Sequence, residues 1–346
     1  MVSLIGKIRA GNDLSALDVQ EAAAFLLSDS IEANTKADFL TALHDKGESA
    51  NEIASFVRVL LERAVPLEIK DASGPVIDVC GTGGDGINLF NVSTAVTFVL
   101  AAGGATVVKH GNRGVTSRSG SADVLEALGV AIDLEPDELS ECIKRVGCGF
   151  VFARIYHPAF RALAEMRQQL ALKHQRTIFN LLGPLLNPAR PKRQLLGVFS
   201  PQLTRLFADV LRQLECERAW IVSGTAADSL SFDDVSTIGP TTIVEVNGGK
   251  ITPAVLDTRW LGIPEATLSE LTGGDAKTNA QIIVQIFEGA ETGPKRDLVV
   301  ANAAAGFVVA GLANEMNGGI AMAREHIASG RALEKLRALQ DFNHRP

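Results

Sequence analysis

Gly81-Thr82-Gly83-Gly84-Asp85-Gly86-Ile87-Asn88-Leu89-Phe90-Asn91-Val92-Ser93-Thr94 stands between two apolar runs. Before it, Pro75-Val76-Ile77-Asp78-Val79-Cys80 reads as a buried strand; after it, Ala95 to Ala102 reads as a buried helix. A glycine-rich turn from strand to helix is a phosphate cradle. Glycines let backbone N–H groups approach an anion closely, and the helix start adds partial positive charge. Gly81, Gly83 and Gly86 also satisfy the dinucleotide fingerprint G-x-G-x-x-G. That reading fails in its context. Five loop-like residues separate Gly86 from Val92, and the next strand ends in basic Lys109-His110-Gly111-Asn112-Arg113 rather than an acidic ribose partner. No Gly-Lys-Ser/Thr follows, so a Walker loop is absent. A purely structural glycine turn stays open as the alternative.

The next strand, Ala105-Thr106-Val107-Val108, leads into a second such loop, residues 109–123, before a helix from Val124 to Leu128. This loop offers Lys109, His110, Arg113, Arg118, hydroxyls and three glycines. Alone it would pass for a solvated basic loop. Two such loops on successive parallel strands would lie together at the carboxyl edge of a sheet, where open α/β folds bind ligands. That adjacency favours a polyphosphate ligand.

Around these loops the chain divides. Residues 1–66 look all-helical, with helical spacing at Leu17–Leu27 and Ala37–Leu43 and a capping box at Ser49 and Glu52; Pro66 ends the last helix. Strands are then expected at 76–80, 105–109, 149–152, 195–199 and 219–223, with helices between them, which predicts an α/β fold with a mainly parallel sheet. Asn247-Gly248 marks a hairpin within 241–256, and a helical tail from Asp275 is expected to break at Gly293-Pro294, Gly318-Gly319 and Gly330.

A length of 346 residues suggests about two domains, and 46% hydrophobic residues support a sizeable core. The net charge of -7 opposes a general nucleic-acid binder, so local loops and metal must hold any polyanion. No apolar run is long enough for a bilayer, no secretory h-region is seen at the N-terminus, and four cysteines form no C-x-x-C pair. Reduced thiols in the cytoplasm are the expectation.

The set Gly81-Thr82-Gly83-Gly84-Asp85, Phe90-Asn91-Val92-Ser93-Thr94, Lys109-His110-Gly111-Asn112-Arg113 and Ser119-Gly120-Ser121-Ala122-Asp123 resembles the anthranilate phosphoribosyltransferase family. Tyr156-His157-Pro158-Ala159, residues 176–188 (Arg-Thr-Ile-Phe-Asn-Leu-Leu-Gly-Pro-Leu-Leu-Asn-Pro) and Gly273-Gly274-Asp275-Ala276 extend the resemblance over nearly the whole chain. It implies transfer of phosphoribosyl from phosphoribosyl pyrophosphate to the amine of anthranilate, with one or two magnesium ions. It implies a small all-helical domain (1–66 with about 165–190), a large α/β domain (67–164 and 191–346) and a homodimer formed through the helical domains. The wider family includes pyrimidine nucleoside phosphorylases, so another acceptor is the alternative. A non-catalytic nucleic-acid-binding relative is opposed by the acidic charge.

The resemblance also assigns residues. Gly81, Thr82, Gly83, Gly84, Asp85, Asn91, Ser93, Thr94, Lys109, His110, Gly111, Asn112 and Ser121 would hold phosphoribosyl pyrophosphate. Gly81, Asn112, His157, Arg167, Gly183 and Pro184 would form the anthranilate pocket, with Arg167 gripping the carboxylate. Ser93, Asp233 and Asp234 would hold metal. On the residues alone, Asp233-Asp234 reads more often as a turn or cap and Arg167 as an exposed helix residue, while Ser93 also reads as an N-cap for a helix at 94–102 and Asp85 as a turn former. Asp234 stands where the family has Glu, Leu89 replaces a common threonine, and the passage 170–177 is about three residues longer than usual.

Overall fold

The computed structural model describes all residues except 115–117, 164–165, 167–169, 171–174, 227–229 and 343–346. Four helices open the chain: α1 (Val2–Arg9), α2 (Ala16–Leu26), α3 (Ala33–Lys46) and α4 (Ala50–Leu61). The Ser49–Glu52 capping box at α4 is present as expected, and a second one, Ser15 with Asp18, starts α2. Glu52 does more than cap. Wholly buried, it also accepts from Leu14 N (2.9 Å) and Lys46 Nζ (2.9 Å), so its charge is matched by donors from three segments.

Beyond residue 75 the chain builds one mixed sheet in the order β3-β2-β1-β4-β5-β7-β8, with β6 paired to β5. Its members are β1 (Val76–Gly81), β2 (Thr106–Gly111), β3 (Cys148–Phe152), β4 (Arg193–Gly197), β5 (Arg218–Thr225), β6 (Ser231–Phe232), β7 (Thr241–Asn247) and β8 (Lys250–Leu256). The first five named strands run parallel; β6, β7 and β8 pair antiparallel. The β7–β8 hairpin turns at Gly248 and Gly249, both at positive φ (55° and 79°). Helix α5 (Val92–Ala102) is apolar on nearly every side because it lies between the sheet and the C-terminal helices.

One expected break is wrong. Gly318 and Gly319 lie inside the helix Met316–Ala328, and the chain breaks earlier, at Gly311. A Cβ on Gly319 would sit 2.6 Å from Ala304 O, so this glycine serves a close helix–helix approach rather than a stop.

The apolar interior of α1–α4 is not closed on itself. Phe39, Leu40, Ile53 and Phe56 share one cluster with Ile178, Phe179 and Leu182 and with Phe207, Ala219 and Ile221 on the sheet side. Among the described residues no helix is long and apolar enough to cross a membrane, and all four cysteines are buried free thiols.

Candidate active site

The strand order places β1 beside β4, at the point where the chain, having run outward through β2 and β3, returns to build the other side of the sheet. A crevice at the carboxyl ends of the strands is expected there. Gly81 and Gly197 are register partners at that edge. A Cβ on Gly81 would lie 2.1 Å from Asp233 Oδ2, and one on Gly197 would lie 1.6 Å from Asp233 O. Two facing glycines therefore make the space that Asp233 fills. Asp233 Oδ2 accepts from Gly83 N at 2.7 Å, which ties the glycine loop to the acidic pair. Thr82 fastens the loop from the other side, with its N–H on Gly197 O (3.0 Å) and its hydroxyl accepting from Phe199 N (3.1 Å). Gly83, Gly84 and Gly86 take φ of 62°, 76° and 73°. Gly197 carried no signal in the sequence, because its value lies in a neighbour 36 positions on, supplied by the fold.

Ser93, Asp233 and Asp234 line one small cavity behind this edge, together with Cys80 and Asn302. Asn302 holds the following backbone by accepting from Val235 N (2.8 Å) and donating to Val235 O (3.0 Å). Ser93 lies in the first turn of α5, whose N-cap position is Asn91, so the expected N-cap role for Ser93 is not observed. Its hydroxyl accepts from Lys109 Nζ (3.0 Å), which also donates to Val79 O (2.6 Å). Lys109 is buried, and desolvation lowers its pKa against the opposing pull of Asp78. Asp234 is half-buried; desolvation, then Asp233 and Asp85, push its carboxyl well up. Asp85 is raised for the same reasons, burial first and Asp233 second. Its Oδ1 accepts from Ile87 N (2.9 Å), the turn-forming role.

Three carboxylates thus repel one another at the edge of the sheet, an arrangement that a bound cation would relieve. No group of three or more His, Cys, Asp or Glu among the described residues forms a protein metal cage. The Asp233 and Asp234 carboxylates and the Ser93 hydroxyl at one cavity suit magnesium, which takes one or two carboxylates and completes its shell with phosphate oxygens and water. The donor set fits the group.

The second loop is less basic than it reads. Arg113 is committed to Asp123 (3.0 Å) and Glu126 (2.8 Å), and Asp123 also accepts from Gly114 N and Gly120 N. His110 is buried, and burial, with His157 beside it, lowers its pKa to about 3. Lys109 and exposed Arg118 remain. Ser121 Oγ reaches Asn112 O (3.4 Å) beneath Gly111. Thr94 is not brought to the surface of this cleft. It is wholly buried, lines an apolar cavity with Phe98 and Phe150, and its N–H goes to Asn91 O (3.1 Å).

On the other side of β2, His110 and His157 meet edge to face at 5.4 Å, and Phe160 stacks on His157. Their ring nitrogens contact Gly183 O (Nδ1, 3.2 Å) and Leu186 O (Nε2, 2.7 Å), so each of those nitrogens carries the hydrogen. Gln194 donates to Pro184 O (2.7 Å). Gly183 is therefore brought against His110, which the sequence had assigned to the donor substrate, while His157, expected beside Gly183 and Pro184, contacts Leu186 of the same segment. Arg167 and residues 171–174 of the lengthened passage lie outside the described residues. Arg176, to which the sequence assigned no role, donates to Gly84 O (2.9 Å) and lies over the Phe199 ring at 3.8 Å.

Asp78, at the centre of β1, anchors this side. It accepts from His110 N (3.2 Å) and Asn187 Nδ2 (3.0 Å). Burial nevertheless raises its pKa to about 6. A raised folded-state pKa means that its contribution to stability is fully present below the unfolded value near 4 and is lost as pH rises through about 6. Wild type should therefore gain roughly 1 kcal/mol more stability than Asp78→Asn between pH 7 and pH 5. Urea unfolding at both pH values checks this; equal gains would remove Asp78 as the source.

Both parts of the chain match one class of enzyme. Residues 2–64 match the helical bundle domain of the glycosyl transferase family, and residues 73–333 match its a/b domain. Among curated relatives, the anthranilate phosphoribosyltransferases of Acetivibrio thermocellus and Petrotoga mobilis are 45% and 42% identical. These alignments cover 98% of this chain, and 96% and 95% of the relatives. The crystal structure of anthranilate phosphoribosyltransferase from Thermus thermophilus superposes with TM-score 0.89 at 39% identity, covering 99% of both chains. The Saccharomyces cerevisiae enzyme in complex with PRPP and Mg superposes with TM-score 0.87 at 26% identity, covering 99% of this chain and 97% of that one. The chain belongs to the anthranilate phosphoribosyltransferase family.

Proposed function

We propose that this protein transfers the phosphoribosyl group of phosphoribosyl pyrophosphate to the amine of anthranilate, releasing pyrophosphate, in tryptophan biosynthesis. The observation that carries the reading is the placement of Asp233, Asp234, Ser93 and Lys109 against the glycine loop at the β1–β4 crevice, in a chain over 40% identical to enzymes of that name. Such a transfer needs charge neutralisation and positioning rather than a protein nucleophile.

The Gly81–Asp85 loop, with Asn91, Ser93, Asn112 and Ser121, holds the ribose and phosphates. Lys109 lies beneath them, its Nζ on the Ser93 hydroxyl. Ser93, Asp233 and Asp234 hold magnesium, as one ion or two; isothermal titration with and without phosphoribosyl pyrophosphate counts them. When bound, magnesium neutralises the negative charge that gathers on the departing pyrophosphate. Gly183, Pro184, His110 and His157 wall the acceptor. Because burial keeps His110 and His157 neutral, they shape the pocket without adding charge beside the amine.

Arg167 grips the anthranilate carboxylate, a task that suits a bidentate guanidinium. Arg167→Ala should raise the KM for anthranilate about tenfold with kcat little changed. An unchanged KM would take Arg167 out of the pocket. The helical segments also form the homodimer contact; exposed Val2 and Leu17 on α1 and α2 support this, and sedimentation velocity tests it.

The primary test is loss of anthranilate fluorescence with phosphoribosyl pyrophosphate and magnesium, repeated with excess chelator. Magnesium-dependent consumption is expected. No consumption, with phosphoribosyl pyrophosphate still bound, would reassign the acceptor.

A further inference from the structure

Asn279, buried in the helix Ala276–Phe287 just beyond Gly273-Gly274-Asp275-Ala276, belongs to neither substrate loop yet joins both. Its Oδ1 accepts from Gly274 N at 2.7 Å. Its Nδ2 donates to Asn91 Oδ1 (2.8 Å) and to Ser119 Oγ (2.9 Å). The direction of these bonds is determined. A backbone N–H can only donate, so the Asn279 oxygen must face Gly274 and its amide nitrogen must face the loops. Asn91 must then present oxygen to Asn279, and Ser119 Oγ donates to that same oxygen at 3.0 Å. The Asn91 amide nitrogen is left pointing the other way, with Ser119 O at 3.4 Å as its one acceptor among the described residues.

We infer that Asn279 is a positioning residue for the donor substrate: it passes the polarity of the Gly274 N–H across the fold and fixes Asn91 with its amide donor, not its acceptor, turned to the phosphates. This rests on the proposed phosphate contact of Asn91. A flipped Asn91 would present an oxygen to an anion and repel it. The glycine motif gains a purpose that its own residues do not reveal. Gly273 N donates to Asn88 O (2.8 Å), Asn88 Nδ2 donates to Gly273 O (3.1 Å), and a Cβ on Gly273 would sit 2.7 Å from the Phe90 backbone. The motif is thereby docked rigidly against the loop whose side chain it orients.

The test is a double-mutant cycle on the full chain, read as steady-state KM for phosphoribosyl pyrophosphate and for anthranilate. Asn279→Asp keeps the shape and the bond from Gly274 N but sets a carboxylate oxygen against Asn91 Oδ1. It should raise the KM for phosphoribosyl pyrophosphate about tenfold, leaving that for anthranilate unchanged. Asn279→Ala should give a smaller rise, and exposed Lys277→Ala none. Combined with Asn91→Ala, neither Asn279 variant should add to the loss from Asn91→Ala alone. Additive losses, or equal rises in both KM values, would overturn the inference while leaving Asn91 as a phosphate contact. No effect from Asn91→Ala would overturn the phosphate contact itself, and the inference with it.

Discussion

Asp233→Asn is expected to lower kcat about a thousandfold at saturating substrates, the scale of removing a principal electrostatic partner from a transition state. The amide keeps the size of the carboxyl group, and its oxygen can still accept from Gly83 N, so the glycine loop should hold its course. What disappears is one negative charge among three. Asp85, held up partly by Asp233, should then ionise more readily. The variant should therefore fold at least as well as wild type and bind magnesium more weakly. Initial rates of anthranilate consumption across a magnesium titration read both effects. A titration superimposable on wild type would end the assignment of Asp233 to the metal.

Gly197→Ala should be nearly as damaging without touching any charge. Its Cβ would arrive 1.6 Å from Asp233 O and 2.3 Å from Asp233 C, both backbone atoms that no rotamer change can clear. Either β4 or the turn carrying Asp233 must move by more than 1 Å. Displacement on that scale costs about a hundredfold in rate, and the overpacking costs about 1–3 kcal/mol of stability. Activity assays and urea unfolding together decide the case. Full activity would mean that the acidic turn tolerates displacement and that its position is not what catalysis requires.

The two strand-to-helix loops and the parallel strands were legible because their signals are local: apolar runs of strand length, a glycine cluster, then a helical run. The hairpin at Gly248 and the Ser49 cap were legible for the same reason. Contacts between distant segments were not. Nothing near Gly197 announces Asp233, and nothing near Asn279 announces Asn91. Gly318-Gly319 misled because a glycine pair in a helix reads as a break, whereas Ala304 on the neighbouring helix needs the room. The basic loop misled in a different way: its charges were counted without the carboxylates of Asp123 and Glu126 that engage Arg113.

The apolar cluster shared by α1–α4, residues 178–186 and the flank of β4 and β5 bears on how such enzymes can be cut and recombined. A chimera that exchanges only the first sixty-odd residues would bring foreign side chains against Phe179, Phe207 and Ile221, which kept their native shapes. The unit of exchange is therefore discontinuous. A graft of the bundle must carry the 178–186 passage with it, and compensating changes in the helix Gln202–Gln213 as well.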